Sequence, residues 1–310
     1  MIQMLDADIR GDQQLVQAQA EHIVRLYPRG ETARIQLADS AARAGKFESA
    51  FTQLDILIDL DSDRADLYLD AMARLAQFPA TWTIIEAKLE TRPKWGPDLL
   101  SRLQETIENK NLFDRLYAHY PELQSQYVES LGRDGDWDSA FVAYVTYLDA
   151  DQIDEMAVPF DSHFENLPAP RPFTWSINSQ HAALDIPRGL HVTFFGRGRP
   201  RIADQVLALS PGRYKLESEI SGQIHQNGGH LTWQLICENS GELLGKVDIS
   251  ELGAANELFR LEFDVPTTDC PFQLLSLNGI SGQFPRTLRA DIEYVSITSA
   301  NDLSGTYRSN

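Results

Sequence analysis

Seven consecutive residues, Gly45-Lys46-Phe47-Glu48-Ser49-Ala50-Phe51, return further along the chain as Gly135-Asp136-Trp137-Asp138-Ser139-Ala140-Phe141. After the first aromatic of each copy, apolar residues follow at offsets of 3, 4, 7, 10 and 11: Ala50, Phe51, Leu54, Leu57 and Ile58 in one, Ala140, Phe141, Tyr144, Tyr147 and Leu148 in the other. That spacing is one face of an α-helix. A third, weaker copy opens at Gly11, 34 residues before Gly45. A 34-residue period built from helix pairs predicts a solenoid, an architecture that presents surface rather than performing chemistry. Each glycine falls at the turn between paired helices, where the backbone takes positive φ.

The pattern predicts helices near 12–27, 31–44, 46–58, 64–77, 80–91, 97–109, 111–119, 122–132 and 136–150. Pro28 and Pro121 close two units, and Pro79, Pro93 and Pro97 cut the middle into shorter helices. The 310 residues carry a net charge of −18, and residues 1–165 hold 15 basic against 30 acidic side chains. Such a balance argues against nucleic acid and anionic membrane as partners. For the helical half it leaves a solvated surface or a basic partner open. No apolar run is long enough for a transmembrane helix. The first ten residues resemble the tail of a helix, so the chain is expected to be a piece of a longer protein whose targeting segment precedes it.

The Gly, the aromatic two residues on, the small residue at Ala50 and Ala140, and the closing Pro resemble the tetratricopeptide repeat family. The resemblance is good over 11–28, 31–64 and 121–150 and poor over 65–120. It implies an α-solenoid over residues 1–158 whose inner face binds a protein segment. The family's peptide-clamping Asn and Lys positions are not recognisable. Tyr68, Tyr117 and Tyr127 are read as packing residues or as lining of that face. The Asp59–Asp63 run fails as a calcium loop, because Arg64 stands where Gly is needed.

Between 159 and 172 helical periodicity stops, and Pro159, Pro168, Pro170 and Pro172 predict a linker. From Phe173 the period becomes two, as in Tyr214-Lys215-Leu216-Glu217-Ser218-Glu219-Ile220 and Phe259-Arg260-Leu261-Glu262-Phe263-Asp264-Val265. These are half-buried strands. Ser210-Pro211-Gly212 and Asn227-Gly228-Gly229 supply turns. About eight strands with hardly any helix predict an antiparallel β-sandwich of jelly-roll type over 173–300, followed by a disordered tail over 301–310. The fold class is thus multidomain α + β. Val192–Gly196, Leu209–Leu216 and Asp291–Ile297 resemble the galactose-binding and carbohydrate-binding-module class of sandwich. Together with the helical repeats, that implies a bacterial envelope or exopolysaccharide-associated scaffold.

The two cysteines, Cys237 and Cys270, both fall in the strand half. They are expected to form a disulfide, which would imply an oxidising compartment such as the periplasm; two buried thiols in a cytoplasmic protein are the alternative. The seven histidines show no metal spacing, and His225 and His230 flank one hairpin. No nucleophile elbow, phosphate loop or dinucleotide fingerprint occurs, so no enzyme, metal or cofactor is expected. Candidate ligand residues are Arg197, Arg199 and Arg201, crowded with Arg188 around Gly196-Arg197-Gly198-Arg199-Pro200, and Trp175 at the sandwich entrance. The arginines clamp an acidic sugar or another anion, dock on acidic protein surface, or form a solvated turn. Trp233 and Tyr214 lie on the apolar phase of their strands and are assigned to the core. The function expected is non-catalytic: a protein partner on the repeats and a polysaccharide on the sandwich. The alternatives are a pure protein adaptor whose sandwich caps the solenoid, or a glycan-active enzyme.

Overall fold

A computed structural model describes residues 13–154, 157–186, 188–225 and 227–300. The repeat copy expected at Gly11 and the tail expected over 301–310 lie outside them. The chain divides into two compact units between Leu123 and Gln124.

The first unit is helical: α1 (Gln13–Leu26), α2 (Glu31–Arg43), α3 (Phe47–Leu60), α4 (Ala65–Leu75), α5 (Trp82–Glu90), α6 (Gly96–Thr106) and α7 (Lys110–Ala118). The turn between α2 and α3 follows from its glycine. Gly45 has φ 70°, its N–H donates to Ala42 O, and Lys46 N–H reaches back to Ala41 O. These are the two bonds of a Schellman cap, which only a residue tolerant of left-handed backbone allows. α3 then buries Ala50, Phe51, Leu54, Leu57 and Ile58, the five apolar positions of the repeat. Val16, Ala20 and Ala33 pack α1 on α2. Tyr68 and Tyr117 are buried, so they pack rather than line a groove. The Tyr68 hydroxyl donates to Glu31 Oε1 at 2.7 Å, and burial with that bond pushes its pKa up to about 12.

In the second unit, α8 (Pro121–Arg133, begun just before the division), α9 (Trp137–Thr146) and α10 (Ala150–Asp154) precede two five-stranded antiparallel sheets. One has the order β1 (Ser176–Ile177), β4 (Arg201–Leu207), β9 (Gln273–Ser281), β6 (Gly229–Cys237), β7 (Leu243–Ile249). The other has β2 (Ala182–Asp185), β3 (Gly189–Phe194), β10 (Leu288–Ser299), β5 (Gly212–Gln223), β8 (Glu257–Val265). Most links between successive strands cross from one sheet to the other, as in a jelly roll. Alternate residues face inward, among them Leu231, Trp233, Leu235 and Cys237 of β6 against Leu216 and Ile220 of β5 and Ile292 of β10.

The division falls earlier than the 1–158 and 159–172 boundaries expected from sequence. The second repeat turn has the same cap as the first, with Gly135 at φ 82° and Asp136 N–H on Leu131 O. Its helix, however, packs on the sandwich. Trp137, Phe141 and Tyr144 meet Phe173 with centroids 6.3, 5.4 and 5.0 Å away, and Trp137 and Phe141 also meet Phe272. Val206 and Leu274 point out of the sandwich yet are only 4% and 5% exposed. An apolar patch on a sheet's outer face needs such a cover.

The stretch 159–172 is no free linker either. Phe160 and Phe164 are buried, Ile297 N–H donates to Val158 O, and Val295 N–H donates to Ser162 O, so the segment flanks β10. The Asp161 carboxylate accepts the N–H groups of Glu165, Asn166 and Leu167 at 2.7, 2.9 and 3.3 Å. This turn holds the chain against the core.

Candidate functional site

One end of the sandwich is built from four loops, and glycines decide how closely they approach. Gly196 (φ 69°) ends the turn after β3, and a Cβ there would sit 2.3 Å from the Gly228 carbonyl oxygen and 2.7 Å from that of Arg286. A Cβ on Gly282 would lie 2.3 Å from the Gly229 nitrogen. Only hydrogen side chains let these backbones touch. Hydrogen bonds then join them: Gly282 N–H to Gly196 O, Phe284 N–H to Asn227 O, and Arg286 N–H to Gly228 O. The β3–β4, β5–β6 and β9–β10 loops form one stitched platform as a result.

Between this platform and the β7–β8 loop lies an open cavity of about 660 Å³, lined by Ile224, His225, Asn227, His230, Glu251 and Gln283, with Ser250 and Leu252 beside them. His230 Nε2 stands 3.8 Å from Asp248 Oδ1. Phe284 is 64% exposed on the β9–β10 loop, and Phe195 is 51% exposed beside Gly196. Amides, imidazoles and a carboxylate around an open cavity can orient a polyhydroxylated ligand by hydrogen bonds, and an exposed ring on a bordering loop can stack on its sugar face.

The arginines expected to act together divide. Arg197 and Arg199 are exposed on the β3–β4 loop at this end. Arg201 begins β4, on the outer face of its sheet, where its Nη1 is 3.9 Å from Asp204 Oδ2. Arg188 stands by Asp185 on the β2–β3 turn, with 3.8 Å between Nη1 and Oδ2. Arg286 joins the pair instead, because its backbone packs on Gly196.

Trp175 is no sugar platform. It is 7% exposed, its ring lies 4.9 Å from Phe164 and 6.1 Å from Trp233, and its Nε1–H donates to Asp161 O at 3.0 Å. Both faces are taken by the core. Gln205 and Gln273 are buried as well: Gln205 donates to Phe160 O, and Gln273 bridges Leu209 and Cys270. Cys237 and Cys270 are joined by a disulfide that ties the end of β6 to the loop before β9.

Sequence reading passed over Asn227, Gln283, Phe284 and Arg286. The available signal was the set of glycines at 196, 228, 229 and 282, three loops spending the same residue for the same reason. No group of three His, Cys, Asp or Glu side chains among the described residues could hold a metal. No described helix is long and apolar enough to cross a membrane.

The helical unit has an open groove of its own, about 500 Å³ between α3 and α5, lined by Glu48, Thr52, Asp55, Thr83, Lys88 and Trp95. Asp55 accepts from Trp95 Nε1 at 2.9 Å and from Lys88 Nζ at 3.0 Å, which fixes the groove's wall.

No protein-family model matches the chain. No curated protein matches it significantly. Similar solved structures include the carbohydrate-binding module TmCBM61 in complex with β-1,4-galactotriose, 12% identical over 41% of this chain and 87% of its own, with a TM-score of 0.29. A putative sugar-binding protein from Bacteroides thetaiotaomicron is 9% identical over 41% of this chain and 80% of its own, with a TM-score of 0.28. A family 16 carbohydrate-binding module is 11% identical over 40% of this chain and 90% of its own, with a TM-score of 0.28. At such scores the likeness does not bear on what this chain binds.

Proposed function

We propose that the chain is a non-catalytic binding protein whose sandwich recognises a glycan at its loop end. The observation that carries this reading is the open cavity beside the glycine-stitched loops. It is lined by His225, Asn227, His230 and Gln283, and the exposed Phe284 ring stands on the same β9–β10 loop. Hydrogen-bonding planar groups next to a free aromatic face suit sugars better than apolar ligands. The disulfide fits an oxidising compartment, and the periplasm or cell envelope is the proposed location.

The test is a glycan array followed by calorimetry on the whole chain. Gln283→Ala and Phe284→Ala should each weaken binding several-fold without shifting the thermal midpoint. A folded protein silent across neutral and acidic glycans refutes the reading.

The helical unit is proposed to hold a protein partner as a tetratricopeptide-like stack, with glycan recognition proposed for the other unit. The groove between α3 and α5 supports this, since its walls offer both donors and acceptors to an extended peptide. A photo-crosslinker placed at Thr52 in the whole chain should capture one protein specifically. Equal capture from a position on the exposed end of α1 would count against it.

A further inference from the structure

We infer that the loop end selects glycans carrying carboxylate groups, with Arg197, Arg199 and Arg286 as the anion clamp. The inference rests on the glycan reading above and deepens it. The sandwich contains eight arginines, residues 188, 197, 199, 201, 213, 260, 286 and 289. Four of them, Arg188, Arg201, Arg213 and Arg260, lie within 4.0 Å of a carboxylate. The other four have no acidic partner among the described residues, and all four sit where β3 and β5 end and β10 begins.

This chain has 45 acidic side chains against 27 basic ones. Three exposed guanidinium groups without an acidic partner, on two adjoining loops, repel one another. That arrangement is retained at a cost unless something anionic arrives from outside. The positions are also held. Arg197 follows Gly196, whose carbonyl accepts the Gly282 N–H, and Arg286 is fixed by its N–H bond to Gly228 O. The guanidinium fork matches a carboxylate through two parallel bonds, and at these exposed positions its binding must weaken with salt.

The rest of the molecule narrows the ligand further. The net charge of −18 disfavours a long polyanion, and the unpaired guanidinium groups offset that repulsion locally. The cavity's single carboxylate, Glu251, stands on the β7–β8 loop, apart from the two stitched loops that carry Arg197, Arg199 and Arg286. A sugar ring seated over the cavity would therefore place its carboxylate toward the β3–β4 and β9–β10 loops.

The experiment is titration calorimetry of the whole chain with an oligogalacturonate, with its fully methyl-esterified form, and with a heparin oligosaccharide of equal length. The free acid should bind at least about tenfold more tightly than the ester, and that margin should shrink with added salt. The variant R197Q/R199Q/R286Q should lose the margin while binding the ester as before, and circular dichroism reports whether it is folded. Should it not fold, R197Q/R199Q serves in its place. Equal binding of acid and ester, or a margin that survives in the folded variant, overturns the carboxylate assignment and leaves the glycan reading standing. Tighter binding of the sulfated oligosaccharide overturns it in favour of sulfate. Silence toward every glycan removes both.

Discussion

Breaking the bridge between Cys237 and Cys270 should lower the stability of the sandwich by a calculable amount. The two cysteines are 33 residues apart, and the segment they enclose comprises β7, β8 and their turns. In the chain-entropy model a loop of that length removes about 12.5 cal/mol/K from the unfolded chain, or about 3.7 kcal/mol at 25 °C. Both side chains are buried, so Cys→Ala adds a small packing loss of about 1 kcal/mol. A unit spanning Gln124–Asn310 has an unfolding entropy near 0.4 kcal/mol/K, which converts the combined loss to a Tm drop of about 12 °C. Differential scanning calorimetry of Cys237→Ala, Cys270→Ala and the double variant checks it. All three lose the same crosslink, so their losses should agree within about 1 kcal/mol rather than add. A drop below about 3 °C would refute the reasoning, because the unfolded chain would then be as restricted without the bridge as with it.

Three further perturbations test the packing. Tyr120 is buried with its hydroxyl unpartnered, so Tyr120→Phe should leave stability unchanged or raise it by up to about 1 kcal/mol in denaturant titration. Gly96→Ala would bring a Cβ to 1.9 Å from that same hydroxyl and should cost about 1–3 kcal/mol, less in combination with Tyr120→Phe. Asp161→Ala strips the acceptor from three backbone N–H groups and should cost about 2–4 kcal/mol, lowering the Tm. Burial raises the Asp204 carboxyl above its ordinary range, while Arg201 and Arg171 pull it back. Folded, it therefore holds its proton more tightly than unfolded, and its charge costs stability at neutral pH. Asp204→Asn should be more stable than the parent at pH 7, with the advantage vanishing as pH falls through the ordinary carboxylate range. An advantage that stays constant with pH would disprove the assignment to Asp204.

What was legible in the sequence was what depends on neighbours along the chain. Gly45 and Gly135 set two identical Schellman caps, and the apolar offsets behind them named the buried face of α3 residue by residue. Alternation likewise named Trp233 and Leu235 as core. Trp175 failed because its position at an apparent domain entrance said nothing of the Phe164 ring that closes over it. That ring arrives from a proline-rich stretch with no periodicity to read. The same stretch looked like a linker because its order comes from one carboxylate gathering three amides, a local bond network that no hydrophobic pattern encodes.

The candidate site was half legible for a related reason. Arg197 and Arg199 stood out because they are adjacent in sequence, and Arg201 was grouped with them on the same evidence. β-structure separates such neighbours: a strand starts at Arg201, so its side chain joins the sheet's outer face and finds Asp204, while the two loop arginines find no acid. Arg286, far along the chain, is brought beside them by the contact of Gly196 with its backbone. A ligand site on a sandwich is thus assembled by loop-to-loop packing between distant turns. In this chain glycine is the residue type that permits that packing, and a side chain at Gly196 should part Arg286 from Arg197 and Arg199.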